Sequence, residues 1–134
     1  MNTNYFLNLV AGNVMKTKTA PAIPNKYYIG LSSTEPTLSG DNATEPTSNT
    51  GYARVELTNL SEPVNGVVTN GAAIDFNEST ATWGTMTHYL IFDAVTNGNL
   101  LMYGRLSTSR TVEAATIMTI KAGSLNISVM NPSS

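Results

Sequence analysis

Residues Trp83 to Leu106 read WGTMTHYLIFDAVTNGNLLMYGRL, and this stretch decides the fold. Thr87 to Val95 and Asn99 to Leu106 are rich in aromatic and β-branched residues, and Thr96-Asn97-Gly98 joins them. An Asn-Gly pair between two such runs predicts an antiparallel hairpin, because both turn positions need a positive φ. Trp83-Gly84 reads as a turn, with the indole covering one end of the core. Alternation along the first strand puts Leu90, Phe92 and Ala94 on one face and Tyr89, Ile91 and Asp93 on the other. Both faces are apolar, so the strand is expected to be central in its sheet or covered by a neighbouring subunit. Trp83, Leu90, Phe92 and Tyr103 are the candidate structural core.

Short β-rich segments separated by turn residues extend on both sides. Lys26 to Ser32, Tyr52 to Thr58, Ala72 to Phe76, Thr116 to Lys121 and Ser124 to Met130 all read as strands, and Val64-Asn65-Gly66-Val67 reads as a second hairpin. In Tyr52 to Thr58, Ala53, Val55 and Leu57 share one side, with Tyr52, Arg54 and Glu56 on the other. No helix-length segment lies between strands, which excludes a parallel sheet built on helical crossovers. Seven or eight short strands at this spacing predict an all-β fold, an antiparallel β-sandwich or jelly-roll-like barrel. Ser33 to Thr50, with Pro36, Gly40 and Pro46, is a loop long enough to be functional or mobile.

The one helical pattern is Asn4 to Val14. Phe6, Leu9, Val10 and Val14 recur at helical spacing, with Asn2, Thr3 or Asn4 as cap and Gly12 or Asn13 as a left-handed close. A helix of about ten residues is marginal alone in water. Its apolar face is therefore expected to dock, on its own sheet or on another subunit, and these four residues are the candidate anchor. Residues 1–25, helix plus a proline-containing connector, are read as an arm, and residues 26–134 as the β domain.

At 134 residues the chain is one domain's length, and it contains no cysteine. That removes disulfides, thiolate metal sites and cysteine nucleophiles. Charged residues make up 12%, with a net charge of -2, which is not the footprint of a nucleic-acid or membrane-surface binder. Polarity comes from 19 Thr, 15 Asn and 12 Ser, residues of strands, turns and caps. No apolar run approaches a membrane span, and no basic residue precedes the first apolar stretch as a signal peptide would require.

Catalytic chemistry finds few candidates. The single histidine, His88, lies five residues from Asp93 on one strand, about 16 Å apart, too far for a triad pair. Asp75 with Glu78, and Glu35, Asp41 and Glu45 in the long loop, read as solvated carboxylates rather than a hydrolytic pair. No ligand spacing suggests a metal and no glycine-rich turn suggests a phosphate cradle, so neither catalytic residue nor cofactor is expected.

Trp83 to Ala94 followed by Gly98 to Leu106 resembles the core block of small tailed-bacteriophage virion proteins. The resemblance extends to Tyr28-Ile29-Gly30-Leu31-Ser32-Ser33-Thr34-Glu35-Pro36, Gly51-Tyr52-Ala53-Arg54-Val55, Arg110-Thr111-Val112 and Ala122-Gly123-Ser124-Leu125. It departs at Glu113-Ala114-Ala115, where family members often carry a glycine-containing turn. The resemblance implies a non-enzymatic structural protein of the virion, assembled in the bacterial host cytoplasm. It implies decoration of the capsid exterior as a homo-oligomer, a trimer ahead of other orders, with the major capsid protein as partner. The alternative is a tail, baseplate or fibre accessory protein that contacts another tail protein or a host glycan. Neither nucleic acid nor membrane is an expected partner.

Overall fold

A computed structural model of the chain describes residues 1–18 and 20–129. Thr19 of the expected connector, and Met130 with the rest of the expected β domain's tail, lie outside the described residues. One helix, α1 (Asn4–Val14), is followed by β1 (Tyr28–Ser32), a 3-10 turn (Ser48–Thr50), β2 (Val55–Glu56), β3 (Val67–Thr69), β4 (Ile74–Asp75), β5 (Gly84–Phe92), β6 (Leu100–Val112), β7 (Thr119–Ile120) and β8 (Asn126–Ser128). The chain is mostly β, every strand pairing among the described residues is antiparallel, and the helix is short and N-terminal, as expected. Four strands form one sheet in the order β2-β1-β5-β6, while β3 pairs with β8 and β4 with β7.

Strand β5 is central. Two irregularities in its ladder with β6 sort the core. Ile91 pairs with Met102 but Phe92 with Leu100, so Leu101 is an extra residue. That bulge lets both Leu101 and Met102 join Ile91 on the helix side, while Leu100 and Tyr103 join Leu90 and Phe92 on the other. Between Met86, paired with Arg110, and His88, paired with Arg105, β6 carries three additional residues. Met86 thereby leaves the Leu90 face and packs with Ile29, Leu31, Trp83 and Val112.

The helix docks on its own sheet. Thr3 caps it, its Oγ1 accepting from the Phe6 N–H, and the same hydroxyl donates to the Leu100 and Leu101 carbonyls. Phe6 and Leu9 are buried against Ile91, Leu101 and Met102. The left-handed residue after the helix is Lys16 (φ 58°), not Gly12 or Asn13, both of which are helical. Residues 1–3 continue along the outer edge of β6: Asn2 bridges Met102, Thr3 N–H donates to Leu101 O, and Tyr103 N–H donates to Met1 O. Residues 1–3 thus extend the sheet, and the helix is packed on it through Phe6 and Leu9.

The other face of β5 is covered by the chain itself rather than by a neighbour. The segment after β1 brings Gly40 beside Leu100 and Arg54 over Phe92, and Leu90, Phe92, Leu100 and Tyr103 are all buried. This long loop is tied by its own hydroxyls and amides. Ser32 Oγ accepts from Thr34 N–H and Thr44 N–H, Thr34 Oγ1 reaches Asn42 O and Thr44 Oγ1, and Asn42 Nδ2 donates to Glu35 O. Both Asn-Gly turns form with positive φ at both positions, Asn65 with Gly66 and Asn97 with Gly98.

Candidate functional site

The Tyr52-Ala53-Arg54 segment builds the densest polar site. Tyr52 to Thr58 is strand only at Val55–Glu56, so the simple alternation fails just before it. Tyr52 stacks with Phe76 and meets Trp83 edge-on, and Trp83 Nε1 donates to Thr50 O at 2.8 Å. The Tyr52 hydroxyl donates to Glu45 Oε2 and accepts from Leu31 N–H. Burial, then the charge of Glu45 and the hydrogen bond to it, push its pKa well above the usual phenol range.

Arg54, expected on the side opposite Ala53, Val55 and Leu57, has a side chain only 8% exposed. It forms a two-point pair with Glu45, Nη2–Oε1 at 2.7 Å and Nε–Oε2 at 3.0 Å. Its Nη1 donates to the Ala94 and Asn97 carbonyls at 2.9 and 2.7 Å. A planar fork with five donors suits this arrangement, and a lysine could not reproduce it. One guanidinium thereby joins the long loop, the start of β2 and the β5–β6 turn.

Two glycines of the same blocks make room for tyrosines. A Cβ on Gly30 would lie 2.5 Å from the Tyr52 hydroxyl, and one on Gly104 would lie 2.5 Å from the Tyr89 ring. At the departure noted in sequence, Ala115 itself takes the left-handed conformation (φ 62°). Ser79 holds that turn: its carbonyl accepts from Ala115 N–H, and its Oγ donates to Glu113 O and accepts from Thr116 N–H.

The titratable candidates are dispersed. His88 is buried, with Nδ1 2.8 Å from Thr87 Oγ1, and burial holds its pKa below the usual imidazole value. Asp93 closes the β5–β6 turn, accepting from Asn99 N–H and Asn99 Nδ2. Asp75 accepts from Thr119 Oγ1 across β4–β7, and Glu45 is engaged by Arg54 and Tyr52. Among the described residues, no three His, Asp or Glu side chains cluster as metal ligands would.

Of the candidate anchor residues, Phe6 and Leu9 are covered by the sheet, Val10 is half-buried and Val14 is 70% exposed. Val14 falls beyond the part of the helix that the sheet covers. With Val10, Ile23 and Tyr27 it lines a shallow apolar groove of about 200 Å³ between helix and connector. Asn13 fixes that geometry, its Nδ2 donating to both Leu9 O and Pro21 O. Trp83, Leu90, Phe92 and Tyr103 are each no more than 7% exposed. No helix among the described residues is long and apolar enough to cross a membrane.

Sequence reasoning missed the Arg54–Glu45 pair. Its signal was an arginine within a strand-like run and a glutamate in a proline-containing loop, and nothing in their spacing links them. A family model described as Podophage GP4 fiber I protein gp80 matches residues 2–128, nearly the whole chain. No curated protein matches.

Proposed function

The chain belongs to the family of Podophage GP4 fiber I protein gp80, and on that footing we propose that it is a subunit of a phage fibre. The coarser assignment, a structural protein of the phage virion, follows from the family itself. The finer one is supported by the family's name and by how the chain uses its own residues. Tyr52, Phe76 and Trp83, the one well-buried arginine, and Gly30 and Gly104 are engaged in holding the fold together. The work left to it is contact between surfaces, with no bond made or broken. Its partners in this reading are further copies of itself, as a trimer or other homo-oligomer, and a tail protein.

The alternative is decoration of the capsid exterior on the major capsid protein. In its anchor form it asks for a helix free to leave the domain. Phe6 and Leu9 are already covered by Ile91, Leu101 and Met102, which weighs against that form. Gold-labelled antibody against the chain, imaged on intact particles, separates the two. Label on fibres supports the proposal, and label distributed over the head overturns it in favour of decoration.

A further inference from the structure

We propose that the pocket between β6, β7 and the turn before β8 binds a saccharide carrying an oxyanion, a carboxylate or a phosphate ester. The proposal rests on the fibre reading, for which such a site would be the point of contact with a host surface. The pocket encloses about 200 Å³ and is lined by Arg105, Arg110 and Lys121, three of only seven basic residues in a chain of net charge -2. No acidic residue lines it. All three cations are exposed, and none makes an ion pair among the described residues. The nearby carboxylate of Asp75 is engaged by Thr119.

Three positive side chains border one space with no acidic residue in its wall, so an anion placed there is attracted by all three. The extra residues of β6 between its Arg105 and Arg110 pairings bring Ser107 and Thr108 to the wall. With Ser124 opposite, they offer hydroxyls of the kind that exchange hydrogen bonds with a sugar, while Thr119, its proton given to Asp75, is left only to accept. Met118, Ile120 and Leu125 form a buried apolar floor, and the Tyr89 ring stands at the side. The space is several times the roughly 30 Å³ share of one water, more than a bare tetrahedral anion fills. Cations, hydroxyls and an apolar surface together fit a sugar with one charged substituent better than either a free ion or a neutral sugar.

The test is amide chemical-shift titration of the full chain with glucuronate, glucose 1-phosphate, glucose, inorganic phosphate and a poly-glutamate peptide. Glucuronate and glucose 1-phosphate should shift residues 105–110 and 119–124, with affinity falling as salt rises. R105Q/R110Q should weaken binding at least tenfold while leaving the rest of the spectrum in place, because both side chains are exposed. Silence with both charged sugars, or equal binding of glucose, overturns the proposal. Inorganic phosphate binding as tightly as glucose 1-phosphate reduces the pocket to a simple anion site and also overturns it. Binding of poly-glutamate alone does the same, in favour of an acidic protein partner. Particle labelling judges the fibre reading separately: a charged-sugar site on a head-labelled protein leaves this inference standing and removes only that premise.

Discussion

The guanidinium carbon of Arg54 lies 3.4 Å from the centroid of the Phe92 ring, while the same group pairs with Glu45 and two turn carbonyls. Three chain segments distant in sequence therefore depend on one side chain. Arg54→Lys keeps the charge but loses the fork, and should destabilise by about 3 kcal/mol in urea unfolding, the scale for breaking a buried pair. A double-mutant cycle with Glu45→Gln should show strong coupling. Additive effects would mean the pair is not the link.

Gly30 and Tyr52 are predicted to be coupled through the space that the Tyr52 hydroxyl and its partner Glu45 take up. Gly30→Ala would press a methyl carbon against the Tyr52 hydroxyl first and Glu45 Oε2 second, at a cost of about 2 kcal/mol. Tyr52→Phe removes that oxygen. Once the tyrosine has been replaced in this way, the alanine should cost clearly less, as read by the shift in melting temperature.

Ala115 is the one alanine among the described residues held at positive φ. The left-handed conformation costs an L-residue about 1–2 kcal/mol, partly offset in glycine by its greater unfolded entropy. Ala115→Gly should therefore stabilise the chain by about 0.5–1 kcal/mol. A fall in stability on this substitution would contradict the turn geometry.

Helix α1 is predicted to behave as core. Phe6→Ala and Leu9→Ala should each cost about 2–5 kcal/mol, whereas Val14→Ala should be near neutral. Deleting residues 1–15 would bare Ile91, Leu101 and Met102 and should yield aggregated or unfolded protein. A well-folded truncation, seen by dispersed amide resonances, would show the helix to be dispensable after all.

Stability should fall at both ends of the pH scale, through different residues. Unfolded tyrosine releases its proton near pH 10, whereas burial and Glu45 keep the folded Tyr52 protonated well above that. The unfolded state is therefore favoured as pH rises past about 10, and Tyr89, raised by burial, adds to the trend. On the acid side His88, lowered mainly by burial, takes its proton later when folded than when unfolded. Its contribution is complete above about pH 6.5 and is lost as pH drops below that value. His88→Gln should flatten this part of a melting-temperature profile, and an unchanged slope between about pH 7.5 and 5.5 would assign it elsewhere.

Local signals in the sequence were legible because local physics sets them. The span Asn4–Val14, the Asn65-Gly66 and Asn97-Gly98 turns and the antiparallel β class follow from periodicity, capping and turn chemistry. Position on the helix circle was also legible, yet Val14 stays outside because burial depends on where the sheet ends. Strand lengths were overestimated at Tyr52 to Thr58, since propensity does not reveal how many residues find a partner. The Leu101 bulge, which turns two consecutive apolar residues to one face, and the Arg54–Glu45 pair arise from register and tertiary approach. The grouping of Arg105, Arg110 and Lys121 has the same origin.

Strand β6 is a border of the main sheet, and the other border, β2, is only two residues long. Residues 1–3 seal β6 at Leu101–Tyr103, and beyond them it carries Arg105 and Arg110. A fenced border resists recruitment of a foreign strand. A shaft or shell made from this chain would thus be masonry rather than weaving along the Leu101–Tyr103 stretch of β6: finished blocks laid side by side, since that length of the ladder is already taken by the chain's own first residues.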